Sequence, residues 1–275
     1  MEKLQKALER AREQRARALP AEGDATDPIA TASPSAAMPA DPSEIVYRQT
    51  RIVQTREKDL REQRVVAGLF REELSDTFRI LRAQVLATLK AEAHTTLAIT
   101  SPNTSEGKSL TAINLATSIA LDPKYTVLLV DSDLRRPRLH AYLGIQPTYG
   151  LCDYLLGNVP LHECLVNPGV PRLVLLAAGE PQPQSTELLS SAKMADLAHE
   201  LKKRYPERIV IYDLPPVLAT GDALVLLPHV EATLLVLEEG RTRKTDLKRS
   251  LELLTGFNVI GTVLNKSSQR QTAYH

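Results

Sequence analysis

Apolar positions along this chain switch between two rhythms. Leu97 to Thr100, Thr126 to Val130, Arg172 to Ala177, Ile209 to Tyr212, Thr233 to Leu237 and Val259 to Leu264 are short, nearly continuous apolar runs. Runs such as Val-Leu-Leu-Val and Ile-Val-Ile-Tyr lack the apolar/polar alternation of a half-exposed strand, which marks strands buried on both faces of a parallel sheet. Between them apolar residues recur at helical spacing. Leu110, Ile113, Leu115 and Ile119 outline one helix over 110–121, and Leu74, Phe78, Leu81, Val85 and Leu89 outline a longer one that starts near Arg71 and leads into the first strand. The pattern predicts an α/β fold: a doubly wound, mostly parallel sheet with helices on both faces, carrying an N-terminal helical extension.

The N-terminal region is different in kind. Met1 to Ala18 has helical spacing with only a narrow apolar stripe, Leu4, Leu8 and Ala11, among many charges. Residues 19–44 are rich in Ala, Pro, Asp and Ser, a composition that cannot bury enough surface to order itself. The expected organisation is a charged helix over 1–18, a linker over 19–44, a helical lead-in over 45–94, a nucleotide-binding domain over 95–265 and a tail over 266–275. A helix on a tether suggests a docking element, although a solvated segment without function has the same composition.

Composition narrows the function classes. The chain has 275 residues, 43% of them apolar, which is enough for one sizeable α/β core. A net charge of +1 excludes the strongly basic footprint of a dedicated nucleic-acid binder. Cys152 and Cys164 form no CxxC pair and have no zinc-spaced histidines nearby, so two reduced thiols in a cytoplasmic protein are expected. The charged first residues hold no signal-peptide h-region, and no run of 18 apolar residues occurs, so neither export nor a membrane span of its own is expected.

The chemistry concentrates where apolar runs stop. Leu97 to Thr100 is followed by Ser101-Pro-Asn-Thr-Ser-Glu-Gly-Lys-Ser109 and then by the first helix. A strand that turns into a helix through Gly-Lys-Ser is the layout of a triphosphate cradle. Its backbone N–H groups face phosphate oxygens, Lys108 reaches the outer phosphates and the Ser109 hydroxyl binds Mg2+. The strict motif wants glycine where Pro102 stands, so the strand before the loop, the helix after it and the later carboxylates must carry the reading. Val127–Val130 ends in Asp131-Ser-Asp133-Leu-Arg135-Arg136-Pro137, and Ile209–Tyr212 ends in Asp213-Leu-Pro-Pro. Ligands bind outside the carboxyl ends of such strands. Mg2+ takes one or two carboxylates with phosphates and water, a role Asp133 and Asp213 suit beside Ser109. A lone aspartate there would be a cap or turn residue, and Arg135, Arg136 and Arg138 suit either phosphoryl-charge neutralisation or a solvated loop.

These motifs resemble the bacterial tyrosine kinases of capsule and exopolysaccharide assembly, P-loop NTPases related to MinD and ParA. The resemblance spans about 70–275. It rests on the phosphate loop, on Leu-Leu-Val-Asp-Ser-Asp-Leu-Arg-Arg-Pro (128–137) as Walker A′, on Ile-Val-Ile-Tyr-Asp-Leu-Pro-Pro (209–216) as Walker B, and on Gly-Thr-Val-Leu-Asn-Lys (261–266). It implies nucleotide contacts from Thr104, Ser105, Glu106, Gly107, Lys108, Ser109, Leu110 and the adenine-side Asn265, metal contacts from Ser109, Asp133 and Asp213, and catalytic roles for Lys108, Asp131, Asp133 and Arg135. Asp131 would sit by the attacking tyrosine hydroxyl. Asp76, Arg79 and Arg82 match the Glu-x-x-Arg-x-x-Arg pattern of ring assembly, with Asp in place of Glu; spacing alone favours an intrahelical ion pair on a solvated face over a contact between subunits.

The implied protein is an autophosphorylating tyrosine kinase using ATP and Mg2+. It would be held at the inner face of the plasma membrane by a transmembrane polysaccharide chain-length regulator that activates it. Three departures stand out: Thr104-Ser105 where the family has Pro-Gly, Leu214 where Thr or Ser is common, and a tail whose only tyrosine is Tyr274 rather than a cluster. Tyr274 lies nine residues past Asn265, so an extended tail reaches at most about 30 Å, enough for its own site or a neighbour's. Tyr47 is the second candidate acceptor. A MinD-like positioning ATPase and a non-catalytic nucleotide-binding adaptor are the alternatives. The first would need a lysine early in the phosphate loop, and none precedes Lys108 there.

Overall fold

The computed structural model describes residues 51–55, 57–68, 73–203 and 207–268. The expected N-terminal helix and linker, Tyr47 and Tyr274 lie outside them.

A single sheet of eight strands runs through the described residues: β1 (Arg51–Ile52), β2 (Thr96–Thr100), β3 (Thr126–Asp131), β4 (Leu165–Asn167), β5 (Leu173–Leu176), β6 (Arg208–Asp213), β7 (Ala232–Glu238) and β8 (Val259–Asn265). Their order across the sheet is β1-β4-β5-β3-β6-β2-β7-β8. All neighbours pair in parallel except β4 and β5, which are antiparallel.

Alternate residues of each central strand enter different cores. Leu97 and Ile99 of β2, Val127 and Leu129 of β3, and Ile209 and Ile211 of β6 pack on one face. Ala98, Leu128, Val130, Val210 and Tyr212 pack on the other. Because both faces are covered, every position must be apolar, and that is why these strands lack alternation in the sequence. The helices Glu73–Ala91 and Lys108–Ala120 cover the first face, and Ala192–Lys203 and Asp222–Leu226 the second.

The helix Lys108–Ala120 is sunk between its neighbours, with all of its residues but Leu110 buried. Small side chains allow that depth: Ala112, Ala116, Thr117 and Ser118 let the sheet and the helix Glu73–Ala91 approach closely. Asn114, fully buried on it, accepts from the backbone N–H groups of Val66 and Ala67 at 2.8 and 2.9 Å and donates to Arg64 O and Leu110 O at 3.0 and 2.9 Å. It ties the chain ahead of the long helix to the helix that opens at the phosphate loop.

Two features differ from the sequence-based expectation. The strands β1 and β4 were not anticipated; at two and three residues they carry no periodicity to read. β8, expected to be covered on both faces, is the sheet edge, and Leu264 on it is 56% exposed.

Candidate active site

The central strands release their ladder at one rim. In register, Asp131 at the end of β3 lies opposite Asp213 at the end of β6, and Ile99 of β2 lies opposite Asp213 on its other side. β2 runs directly into Ser101–Ser109, so strand pairing alone brings the Gly-Lys-Ser loop and both carboxylate-bearing strand ends together. The spacing of side chains confirms the convergence. Lys108 Nζ stands 2.9 Å from Asp133 Oδ2, 3.5 Å from Asp213 Oδ1 and 3.2 Å from Ser109 Oγ.

The electrostatics follow from burial. Burial works against the Lys108 charge, but Asp213 and Asp133 overcome it and its pKa is raised. Asp131 and Asp213 have no exposed surface. Burial, reinforced by the Asp213 charge, pushes Asp131 up to about 8. Burial also raises Asp213, against the opposing pull of Lys108 and the Ser109 hydroxyl, and neither of its oxygens receives a well-formed hydrogen bond. Asp131 Oδ2 accepts the N–H groups of Arg138 and Leu139 at 3.1 Å each, while Oδ1 takes only a longer bond, 3.3 Å, from Asp133 N. Asp131 therefore folds the loop after β3 back over the strand end.

The phosphate loop is shaped by its own sequence and braced from elsewhere. Ser105 and Gly107 both have positive φ, 66° and 94°. A Cβ on Gly107 would lie 1.9 Å from Asn265 Nδ2, so the Asn265 amide occupies the room a side chain would need. That amide donates to Glu106 O at 2.9 Å. The buried Glu106 carboxylate is turned beneath the loop, accepting from Asn103 N at 2.8 Å and from Thr242 Oγ1 at 2.6 Å. Thr104 and Ser105 are exposed, and Leu110 is half-buried against the core.

Residues 97–275 match the family described as the CobQ/CobB/MinD/ParA nucleotide binding domain. Over 193 residues the chain is 33% identical to tyrosine-protein kinase YwqD of Bacillus subtilis, covering 70% of this chain and 80% of that protein. The chain belongs to the bacterial tyrosine kinases. A second relative, tyrosine-protein kinase CpsD of Streptococcus agalactiae, is 31% identical over 181 residues, 65% of this chain and 77% of CpsD. The solved kinase domain of the Escherichia coli tyrosine kinase Etk superposes with a TM-score of 0.66 at 29% identity, covering 72% of this chain and 77% of that one. The MinD-like alternative shares the fold and the nucleotide-binding domain, but these relatives place the chain on the kinase branch.

In this tyrosine kinase the remaining expected site residues are spread more widely. Arg135 leaves the rim to pair with Asp222, Nε to Oδ2 at 3.0 Å. Asp222 is fully buried and also accepts from Ser185 Oγ at 2.6 Å and from Thr186 Oγ1. Asp76 and Arg79 form an i,i+3 ion pair on the long helix at 2.6 Å. Arg82 turns inward, donating to Ser118 O at 2.8 Å. Sequence reasoning missed Asp222, the bracing role of Glu106 and the hydrogen bonds of Asn114. Asp222 follows Thr220-Gly221 and has the look of a helix cap, and its partners lie 36 to 87 positions away, beyond any local pattern.

Proposed function

We propose that this chain is an ATP- and Mg2+-dependent protein-tyrosine autokinase of a polysaccharide-export system. The observation that carries the reading is Lys108, held between Asp133 and Asp213 at 2.9 and 3.5 Å at the start of a buried helix. The residues fit the implied groups. A glycine with φ of 94° opens a backbone cradle at a helix N-terminus. The Ser109 hydroxyl and the carboxylates of Asp133 and Asp213 are the hard oxygen donors Mg2+ requires. Asp213, buried with Lys108 at 3.5 Å but without a well-formed hydrogen bond, is a carboxylate whose charge a divalent cation would offset further.

In the proposed division of labour the loop N–H groups from Thr104 to Leu110 and Lys108 bind the β- and γ-phosphates, and Asn265 flanks the adenine side. Mg2+, when bound, neutralises phosphate charge. Asp131 orients the acceptor hydroxyl through Oδ1, the oxygen with the weaker hydrogen bond. A tyrosine hydroxyl has a pKa near 10 against about 8 for the buried Asp131, so full proton removal before attack would cost about 3 kcal/mol. The loose phosphoryl-transfer transition state allows the proton to leave late, and positioning plus charge neutralisation supply the rate. Arg135, the proposed source of further positive charge, is paired with Asp222 away from the rim and would bring that charge to the site only by leaving this pair.

Tyr274 is the proposed acceptor, modified between subunits of a ring assembled through Asp76, Arg79 and Arg82. The proposed activator is a transmembrane chain-length regulator, with the kinase peripheral at the cytoplasmic membrane face. Among the described residues no helix is long and apolar enough to cross a membrane. The test is incubation of the purified full chain with γ-labelled ATP and Mg2+, comparing wild type, Lys108→Met and Tyr274→Phe. Label on tyrosine that needs Lys108 and falls sharply in Tyr274→Phe is expected. Free phosphate without labelled protein would replace the kinase reading with a simple ATPase, and binding without turnover would replace it with an adaptor.

A further inference from the structure

Two consecutive carbonyls of the phosphate loop are gripped from the end of β8. Asn265 Nδ2 donates to Glu106 O at 2.9 Å, and Lys266 Nζ donates to Ser105 O at 2.9 Å. Lys266 is itself anchored, its ammonium 2.9 Å from Glu238 Oε2, and Glu238 is also met by Arg241 at 3.4 Å. The same brace reaches the loop a third time: the Glu238 N–H donates to Thr242 Oγ1 at 2.8 Å, and Thr242 donates to the buried Glu106 carboxylate at 2.6 Å.

The geometry points to Lys266 as a positioning residue of the phosphate site, which it serves by aiming a backbone donor. A trans peptide unit is planar, with its C=O and the following N–H pointing in opposite directions. Holding Ser105 O toward Lys266 therefore fixes the direction of the Glu106 N–H, and holding Glu106 O toward Asn265 fixes that of Gly107. The hold matters at Ser105 in particular. Its φ of 66° lies in the left-handed region, where a Cβ is disfavoured, so this peptide would otherwise swing away. Lys266 adopts the same uncommon conformation, with φ of 56°, and from there its side chain reaches the loop. A glycine at 105 would sit in this conformation without being held. Lys266 thus compensates for serine in the loop and couples the phosphate end of the ligand to the strand that bears Asn265.

This inference rests on the nucleotide-binding reading of the same loop. It predicts that Lys266→Met in the full chain weakens ADP binding about fivefold to tenfold, the worth of one charge-assisted hydrogen bond. Displacement of a fluorescent ADP analogue by pyrophosphate should weaken by the same factor, because the defect lies at the phosphates. Lys266→Arg should restore most of the affinity, and Ser105→Gly should shrink the effect of Lys266→Met to about twofold. Lys266 is half-exposed, so the melting temperature of the ligand-free protein should stay within about 2 °C of wild type. Wild-type affinity in Lys266→Met, an undiminished loss in the Ser105→Gly background, or weakened ADP with unchanged pyrophosphate would each overturn the proposal. A wild-type chain that binds neither ADP nor pyrophosphate would overturn the nucleotide reading as well.

Discussion

Replacing Asp222 by alanine should be among the most destabilising single changes outside the rim. Its carboxylate has no exposed surface and accepts from Ser185, Thr186 and Arg135. Hydrogen bonds to a charged acceptor contribute about 1.5–3 kcal/mol each, but the carboxylate gave up its own hydration to make them. Removing one partner of a buried pair typically costs about 3–5 kcal/mol. The Arg135 side chain is 41% exposed and regains water, so the lower end applies, about 3 kcal/mol. For a domain of this size that corresponds to a fall in melting temperature of about 6–12 °C. The pH dependence supplies an internal check. Burial opposes the Asp222 charge, yet Ser185, Thr186 and Arg135 overcome it and hold the pKa below the usual carboxylate value. A depressed folded pKa contributes stability that is present above about pH 4 and is lost as pH falls through the folded value. The stability difference between wild type and Asp222→Asn should therefore stay constant from pH 8 to about 5 and close below about 4. Circular dichroism melts across that range would measure it. A loss under about 1 kcal/mol in Asp222→Ala, or a difference that persists unchanged to pH 3, would refute the account.

Three further outcomes are expected. Gly107→Ala places a Cβ 1.9 Å from Asn265 Nδ2 and a side chain at φ of 94°, so calorimetry should show at least tenfold weaker nucleotide binding, while urea unfolding shows only about 1–2 kcal/mol of lost stability. Asn114→Ala removes the acceptor of two buried N–H groups and should cost about 3 kcal/mol by the same unfolding measurement. Glu231 accepts from Thr95 N at 2.8 Å and pairs with Lys202 at 2.8 Å, which depress its pKa although burial opposes its charge. Glu231→Gln should lose about 1–2 kcal/mol at pH 7, and the gap to wild type should disappear below about pH 4.

The parts of the fold that were legible in the sequence are those where burial leaves no choice of residue. Val127–Val130 and Ile209–Tyr212 feed alternate side chains into two cores, so their uniform apolarity announced covered strands. β1 and β4 were invisible because two or three residues show no period, and their pairing is set by partners more than a hundred positions apart in the case of Arg51 and Val166. The rim was legible because Asp131 and Asp213 each end a strand, Lys108 opens the helix that follows the loop after a third, and parallel pairing brings such points together. What holds the rim was not. Asp222 meets Arg135 across 87 positions, Thr242 meets Glu106 across 136, and Lys266 meets Ser105 across 161. Each partner alone is an ordinary loop or cap residue, and only the folded chain selects it. The long helix shows the same limit: Asp76, Arg79 and Arg82 share a side by spacing, yet Asp76 and Arg79 pair with each other while Arg82 grips the neighbouring helix.

That grip has a mechanical consequence. The rod Lys108–Ala120 has 13 residues and a length of about 20 Å. Arg82 clasps Ser118 near its far end, and its near end presents Lys108 and Ser109. Close packing leaves such a rod little room to bend, so a tug on one tip is felt at the other as a shift of the whole shaft. Arg82 thereby fixes the long helix to the same shaft whose opposite end carries the ammonium group of Lys108.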